Sequence, residues 1–468
     1  FPVAVSKFVS DSLARGEPEE ADRILGVSVF ILLFLGLGMF VFMYAGAEQI
    51  ARWIGQAQTA PAIRAVSFAL WFAPVMAAIR GYFQGRQEMT STAISQVTEQ
   101  SVRVLTMIVL LLYLTSRHDP PAVVAAGATF GSVCGAFAAL LVMIIYWHKD
   151  RRKNSRSASG KRAGTSYRVL AGRLFRFALP VCIGAVGVPF LGIADTFTVP
   201  RMLQAAGWNE KQSMEQFGIY GRGLPLVQLV TMIFSSVAAA IVPAVAEAKG
   251  RGALAAVQVR TELSLRVTWL IGLAASFGLA AAALPINVML FTDAAGTRAI
   301  QITAFSALFS ALNIVTASIL QGLGKVLIPA VSLIAAALLK VALNIWWVPS
   351  FGIDGAAASA VAAFCAAALI NLAAVQKCAG IALPYTLYLF KCGAAVAVML
   401  AVVIAVVKGL PQALEWFPAL PRNSRAVHSL TALSAVAAGA ASFWAAAIKM
   451  GALSKNDLQR LLEKPTNQ

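Results

Sequence analysis

Charged residues are scarce in this sequence: Asp, Glu, Lys and Arg make up 12% of its 468 residues, against a hydrophobic fraction of 59%. A soluble domain carries about twice that share of charge. Among the charged residues, the acidic ones are fewer, with 20 Asp and Glu against 38 Lys and Arg. The chain therefore lacks the charge to cover a water-soluble fold of this length, and its composition predicts a protein that lies in lipid.

Histidine and cysteine are also rare, with 3 and 5 residues. The histidines are scattered, with no H-E-x-x-H or paired spacing. The cysteines show no C-x-x-C pair or other metal-ligand spacing: Cys134, Cys182, Cys365, Cys378 and Cys392. Cysteine inside an apolar run behaves as a small hydrophobic residue. We therefore predict no metal site, no cofactor and no catalytic centre.

The N-terminus lacks the charged, apolar and small-residue order of a signal peptide. Phe1-Pro-Val-Ala-Val5 instead has the character of the last turns of an apolar helix. We interpret the sequence as a fragment that lacks its first span or spans.

Apolar runs of membrane-spanning length recur along the whole chain, separated by short segments rich in Gly, Pro or charge. At 1.5 Å per residue, about 20 residues cross the ~30 Å hydrocarbon core of a bilayer. We predict an all-α polytopic membrane protein with twelve complete spans: 24–46, 63–83, 92–114, 123–146, 174–198, 219–245, 267–291, 299–322, 328–347, 355–375, 385–407 and 427–448.

The longest linker between predicted spans, residues 148–173, is strongly basic. Alternation of the spans places most Lys and Arg residues on the side of this linker, and positive residues mark the cytoplasmic side. We therefore predict that the linker and the C-terminal tail are cytoplasmic. A basic run beside a helix end is the ordinary topology signal and contacts anionic lipid, so we predict no nucleic-acid partner.

The chain also contains an internal repeat. Phe83-Gln84-Gly85 matches Leu320-Gln321-Gly322, and the match continues without a gap to pair Arg103 with Lys340. Both segments are predicted to form a cytoplasmic turn followed by an outward-running helix, six spans apart. An even separation relates the repeats by an axis along the membrane normal, as in transporters built from two six-helix halves.

Arg103 and Lys340 are charged residues inside predicted spans. A charge in hydrocarbon is costly, so it normally faces a partner or a water-filled cavity. Glu99 lies four residues before Arg103 on the same helix face, which predicts an intrahelical ion pair. The counterpart of Glu99 is Ala336, so Lys340 has no acid one turn away.

We therefore expect Lys340 to face a cavity and to bind an anion there. The alternative is a tertiary ion pair with Asp195 or Glu247, which are acids elsewhere in the chain. Asp195 is the only carboxylate in its predicted span. Together with Glu99, it is a candidate coupling or structural acid.

Two further cations stand at predicted helix ends: Arg80 on the cytoplasmic side and Arg222 on the outer side. Either could reach the interface as a topology charge or turn into a cavity. Because embedded cations outnumber embedded acids, we predict a positive cavity and an anionic substrate such as a phosphate or pyrophosphate. The candidate substrate contacts are Lys340, Arg103, Arg222 and Arg80.

Glycine and proline interrupt two predicted spans. One break surrounds Gly221 and Gly223, and another lies in the span 174–198. Such breaks suit helices that bend during alternating access, although Gly and Pro are common in transmembrane helices in general. For the span 174–198 we predict a hinge formed by Pro180, Gly184, Gly187 and Pro189.

Several short segments point to one protein family: Arg80-Gly-Tyr-Phe-Gln-Gly85, Thr92-Ala-Ile-Ser-Gln96, Glu99-Gln-Ser-Val-Arg103, Asp195-Thr-Phe-Thr-Val-Pro-Arg201, Tyr220-Gly-Arg-Gly223, Ser235-Ser236 through Val242-Pro243, and Gly352-Ile-Asp-Gly-Ala356. With these segments, the chain resembles the polysaccharide biosynthesis proteins related to stage V sporulation protein B. These proteins are relatives of the lipid II flippase MurJ within the multidrug/oligosaccharidyl-lipid/polysaccharide exporter superfamily.

The resemblance covers essentially the whole chain and implies fourteen spans: two six-helix lobes around a central cavity, plus two C-terminal helices. On this basis the domains are an N-terminal lobe that is incomplete at its start, a basic linker, a C-terminal lobe, and two extra helices with a tail. Their predicted limits are 1–147, 148–173, 174–376 and 377–468.

The resemblance also implies an alternating-access flippase. Its substrate would be an undecaprenyl-pyrophosphate-linked saccharide or a peptidoglycan precursor. In MurJ-like proteins, cavity arginines near the start of the chain bind the pyrophosphate, and the nearest first-lobe cations in this sequence are Lys7 and Arg80.

Two other functions stay open. A cation-coupled multidrug or metabolite antiporter of the same superfamily would need an acidic cavity, and a membrane glycan polymerase or ligase would need an outer loop rich in Arg, His or carboxylates. Since both features are scarce, we predict a transporter and not an enzyme. We expect a monomeric multi-pass protein of the bacterial cytoplasmic membrane, with a lipid-linked anionic saccharide and membrane lipids as its partners.

Overall fold

The computed structural model describes residues 2–86, 88–154, 166–250, 252–380, 385–414 and 425–451. Within these ranges the chain forms α-helices, one short 3₁₀ turn at Ala57–Thr59, and no strand. The helices are α1 Pro2–Ala14, α2 Pro18–Ala45, α3 Ala47–Ile54, α4 Ala60–Ser67, α5 Ala69–Gly85, α6 Met89–Ser116, α7 Pro121–Asn154, α8 Tyr167–Ala205, α9 Glu210–Gly221, α10 Leu224–Gly250, α11 Leu254–Ala281, α12 Ala283–Phe291, α13 Thr297–Ala304, α14 Ser306–Gly322, α15 Leu327–Ala379, α16 Tyr385–Leu414 and α17 Arg425–Lys449.

The longer helices, alone or joined end to end, are long and apolar enough to cross a membrane. Nine segments of the described chain meet both conditions, and a pair that meets at 41°, Ala57–Ser67 with Ala69–Gly85, raises the number to ten. Large apolar side chains point outward: Phe30, Leu105 and Trp346 are 62%, 63% and 74% exposed. Such a surface is solvated by lipid, and the predicted all-α polytopic membrane fold is confirmed.

Helix α15 accounts for two of the predicted spans. Its backbone is non-helical at Gly352, where φ is 58° and ψ is −138°. A Cβ added to Gly355 would lie 2.6 Å from the carbonyl oxygen of Trp347, although residues eight apart in a straight helix are separated by about 12 Å. The chain therefore reverses at Gly352. We call residues 327–351 the first arm of α15 and residues 353–379 the second arm.

The span predicted at 267–291 begins too late. Helix α11 starts at Leu254 and ends at Ala281, and the separate helix α12 follows it. The prediction stopped short of the charged residues in the first turns of α11. In the structure, Glu262 and Arg266 lie one turn apart and form an ion pair at 2.5 Å, so the helix accommodates both charges on one face.

The predicted internal repeat is visible in the limits of the helices. Helices α4 and α13 both have 8 residues. The first and last residues of α13, 297 and 304, each lie 237 residues after those of α4, 60 and 67. Helices α5 and α14 both have 17 residues and are separated by the same interval, while α2 and α11 both have 28. Arg103 and Lys340 are also 237 residues apart, so they occupy equivalent positions.

Packing divides the chain into two compact units, Phe1–Ala185 and Val186–Gln468. The first unit packs α1, α2, α5, α7 and the start of α8 around a core that includes Ile24, Phe83 and Met143. The second unit has one core on α10, α11, α14 and the second arm of α15, and another on α11, α12, α16 and α17. The four domain limits expected from the sequence stay predictions.

Candidate functional site

An ion pair joins α5 to α6 in the first unit. Arg80 donates from Nη2 to Glu99 Oε2 at 2.8 Å, and from Nε and Nη2 to Ser95 Oγ at 3.2 and 2.8 Å. The side chains of Arg80 and Glu99 are 12% and 22% exposed. Ser95 donates in turn to the carbonyl oxygen of Ala139 on α7 at 3.3 Å. The arrangement holds three helices together and neutralises both charges.

The predicted ion pair between Glu99 and Arg103 is not formed, because Glu99 pairs with Arg80 on the neighbouring helix. Arg103 is half-buried on α6, and a Cβ added to Gly135 of α7 would lie 3.0 Å from its Cβ. Its guanidinium forms no hydrogen bond or ion pair with any residue in the described ranges. Arg103 is therefore an embedded cation that has no counter-charge among the residues that the structure describes.

Lys340 has a different environment from the one we expected. Its Nζ donates to Asp195 Oδ2 at 2.7 Å and to the carbonyl oxygen of Leu191 at 3.3 Å. The side chains of Lys340 and Asp195 are only 3% and 5% exposed. The expectation of a cavity-facing lysine is thus wrong for this conformation, which contains the alternative, a tertiary pair with Asp195.

Further donors surround the Asp195 carboxylate. Tyr220 donates to Oδ2 at 2.8 Å, and Asn344 donates from Nδ2 to Oδ1 at 3.1 Å and to Thr198 Oγ1 at 2.8 Å. Ser359, on the second arm of α15, donates to Asn344 Oδ1. We call these residues the Asp195 centre: Asp195, Thr198, Tyr220, Lys340, Asn344 and Ser359.

The Asp195 centre is neutral overall and lies in apolar surroundings. Its neighbours include Leu191, Leu333 and the buried alanines at 336, 337, 363 and 367. In such a medium an ion pair is costly to break, because removal of one partner leaves an uncompensated buried charge that costs about 3–5 kcal/mol. The centre therefore fastens α8 and α9 to both arms of α15.

A cavity of about 510 Å³ reaches the Asp195 centre. The stacked rings of Phe217 and Tyr220, with centroids 6.2 Å apart, form part of its wall. Asp195 is the only ionisable carboxylate or base among its lining residues, which are Gly192, Ile193, Asp195, Thr196, Phe217, Gly218, Tyr220, Gly221 and Leu224. The cavity thus gives one side of the buried carboxylate an opening.

Arg222 is also paired. It forms a two-pronged contact with Asp293 at 2.6 and 3.0 Å, and its guanidinium lies 4.9 Å from the centre of the Phe291 ring. The hydrogen bond from Arg222 and a second one from the Ala295 backbone N–H lower the pKa of Asp293. Arg222 therefore fastens the junction of α9 and α10 to the loop before α13.

The predicted hinge lies in a part of α8 whose side chains are outside the described residues. The backbone is helical from Tyr167 to Ala205, and the division between the two units falls at Ala185–Val186, among the four hinge residues. The roles of Pro180, Gly184, Gly187 and Pro189 stay predictions.

Four members of the Asp195 centre were not predicted from the sequence: Thr198, Tyr220, Asn344 and Ser359. Asn344 could have been found, because it follows Lys340 by one helical turn and shares its face. Tyr220 belongs to the Tyr220-Gly-Arg-Gly223 segment, but nothing in that pattern indicates that its hydroxyl reaches a carboxylate. Ser359 gave no signal, because its place depends on the reversal of α15 at Gly352.

Comparison with known proteins agrees with this architecture. The profile of the polysaccharide biosynthesis protein family matches residues 1–249, and the MatE profile matches residues 210–346. The chain is 30% identical over 464 residues to the uncharacterized membrane protein YabM of Bacillus subtilis, covering 98% of this chain and 84% of YabM. It is 28% identical over 404 residues to the lipid II flippase MurJ of the same organism, covering 81% and 73% of the two chains.

A solved structure of lipid II flippase MurJ in an inward closed conformation has the same fold. It superposes with a TM-score of 0.63 at 12% sequence identity, covering 95% of this chain and 89% of that chain. The chain therefore belongs to the polysaccharide biosynthesis protein family, and it is a multi-pass membrane flippase or transporter of the multidrug/oligosaccharidyl-lipid/polysaccharide exporter superfamily and not an enzyme.

Proposed function

We propose that the chain moves a lipid-linked anionic saccharide across a bacterial cytoplasmic membrane by alternating access. The observation that carries this proposal is Arg103, a membrane-embedded guanidinium with no counter-charge in the described chain. An unpaired cation at this depth is costly unless it meets water or an anion, and a diphosphate supplies two charged groups for the fork of an arginine. The names of the relatives, a lipid II flippase among them, support the same substrate class.

A cation-coupled antiporter is the second candidate, because the MatE profile covers part of the second unit. An organic cation needs a carboxylate that is free to receive it. Asp195, the acid that lines the cavity, is already neutralised by Lys340 at 2.7 Å. Charge complementarity therefore favours the anionic substrate.

Binding to purified protein tests the proposal, with undecaprenyl diphosphate as the probe and undecaprenol as its neutral counterpart. We expect the wild type to bind the diphosphate more tightly than the alcohol. Arg103→Ala removes a charge-assisted contact worth about 1.5–3 kcal/mol, so its Kd should rise roughly 10- to 150-fold. Arg103→Lys should retain part of the affinity, since it keeps the charge but loses the fork.

Arg117→Ala is the matched control. Arg117 is at the end of the same helix, exposed, and stacked over Tyr113, so its loss should leave the Kd unchanged. Equal binding of undecaprenyl diphosphate and undecaprenol by the wild type would contradict the proposed substrate. So would displacement of bound lipid by tetraphenylphosphonium, an organic cation, but not by pyrophosphate.

A further inference from the structure

The Asp195 carboxylate has an internal cation on it and a cavity beside it. Lys340 Nζ and Tyr220 Oη both donate hydrogen bonds to Asp195 Oδ2, at 2.7 and 2.8 Å, and Asn344 Nδ2 donates one to Asp195 Oδ1 at 3.1 Å. Asp195 and Tyr220 also line the cavity of about 510 Å³, whereas Lys340 and Asn344 do not. A solute in this cavity therefore meets the carboxylate and the phenol, with the ammonium behind them.

In the ionised state this cavity suits neither kind of ion. A metal cation would have to displace the tethered ammonium of Lys340, which already contacts Asp195 Oδ2 and the carbonyl oxygen of Leu191. An anion would meet the negative charge of Asp195 at close range. The centre is neutral and its polar atoms are satisfied, so neither ion would gain from entering.

Protonation of Asp195 changes both the net charge of the centre and its set of hydrogen-bond donors. When Asp195 takes a proton from the cavity, its carboxyl becomes a donor and no longer neutralises Lys340. The buried ammonium then has no counter-charge, which costs several kcal/mol in apolar surroundings. The cavity now presents two hydroxyl donors, from Asp195 and Tyr220, in front of a net positive charge. A phosphate oxyanion in the cavity would restore neutrality and accept both hydrogen bonds.

We propose that the Asp195 centre and its cavity form a proton-linked anion site, in which a phosphate oxyanion binds together with a proton on Asp195. The inference rests on the proposed function for the source of the anion, the diphosphate of the lipid-linked substrate. The groups that face Asp195 are Tyr220 from α9, Lys340 and Asn344 from the first arm of α15, and Thr198 two hydrogen bonds away on α8. Lys340 and Tyr220 are the titratable groups among them.

Linkage fixes the sign of the effect. If anion binding requires one added proton, affinity rises about tenfold for each pH unit of acidification while Asp195 is ionised in the free protein. Proton coupling of this kind gives the centre a transport role that needs no metal ion. Binding should therefore depend on pH and not on the replacement of sodium by a large organic cation such as N-methylglucamine.

The experiment is calorimetric titration of the purified protein with farnesyl diphosphate, in buffers of different ionisation enthalpy, between pH 6 and 8. The wild type should take up about one proton more per ligand bound than Asp195→Asn. Protons taken up by the ligand itself are common to both proteins, so they cancel when the two values are subtracted. Asp195→Asn imitates the protonated carboxyl. It should therefore bind the ligand at pH 8 with the affinity that the wild type reaches only at lower pH, a gain that loss of a structural contact would not produce.

Two further variants keep the test decisive if Asp195→Asn folds poorly. The double variant Asp195→Asn/Lys340→Gln leaves no unpaired charge and should lose both the extra proton and the anion affinity. Asp293→Asn removes an exposed acid of the same unit, whose low pKa keeps it ionised throughout the titration, so its proton count should equal that of the wild type.

Equal proton uptake by the wild type and Asp195→Asn, or undiminished ligand binding by the double variant, would overturn the proton-linked site while leaving the proposed substrate in place. Failure of the wild type to bind farnesyl diphosphate or undecaprenyl diphosphate at any pH would overturn the proposed substrate as well. Binding that requires sodium, with no dependence on pH, would replace the proton with a metal ion and refute the inference.

Discussion

At the scale of single residues, the equivalent cations of the two halves, Arg103 and Lys340, have different environments. Lys340 has Asp195 at 2.7 Å, whereas Arg103, 237 residues earlier, has no ionic partner in the described ranges. The acid one turn from Arg103, Glu99, is held by Arg80. The repeat thus preserves the position of the cation but not its counter-charge, so the two lobes need not contact an anion in the same way.

The Lys340–Asp195 pair predicts a stability effect. Lys340→Ala leaves an unpaired carboxylate in an apolar site, so the protein should lose about 3–5 kcal/mol of unfolding free energy. The double variant Lys340→Ala/Asp195→Asn should recover much of this loss, because it leaves no unpaired charge. Thermal unfolding in detergent measures both variants. A Lys340→Ala protein with an unchanged Tm would show that the pair does not hold the helices together.

The charged residues of the candidate site could be predicted from the sequence, but their ion pairs could not. Arg103, Lys340, Arg80, Glu99 and Asp195 were recognisable because a charge inside an apolar run is conspicuous. Their pairing was not, since helical periodicity defines the neighbours one turn away on the same helix only. Asp195 is 145 residues before Lys340, and that contact depends on how α8 packs against α15.

At the scale of helices, the reversal of α15 places the Asp195 centre. Ser359 on the second arm donates a hydrogen bond to Asn344 on the first arm, fifteen residues earlier. This contact exists only because the chain turns at Gly352. Sequence periodicity predicted the two spans around the turn, at 328–347 and 355–375. It did not predict that the turn lies at a single glycine inside an otherwise helical backbone.

Gly352 should therefore resist substitution. Its φ of 58° and ψ of −138° lie in a region that side chains disfavour, so Gly352→Ala should cost about 1–3 kcal/mol of unfolding free energy. Gly393→Ala is the matched control: this helical glycine on α16 has nothing within 4 Å of an added Cβ, and its replacement should be neutral or stabilise by up to ~1 kcal/mol. Equal stability of the two variants, measured by Tm, would mean that the turn is not strained.

At the scale of the whole molecule, composition alone indicated the membrane, and the helical repeat agrees with a transporter built from two similar halves. The orientation predicted from charge can be tested by labelling. In a background without the five native cysteines, Ser157→Cys and Asn467→Cys, two positions outside the described residues, should react with an impermeant maleimide only after the cells are opened. Labelling of either position in intact cells would reverse the predicted topology.

The central claim, transport of a lipid-linked anionic saccharide, is tested most directly in proteoliposomes. A fluorescent undecaprenyl-diphosphate-linked saccharide is placed in both leaflets, and an impermeant quencher is added outside. Vesicles with the wild type should lose nearly all the fluorescence, because the lipid moves outward and meets the quencher. Vesicles with Arg103→Ala should retain about half, as protein-free vesicles do. Retention of half the fluorescence by the wild type, in vesicles where it does transport an organic cation, would contradict the account.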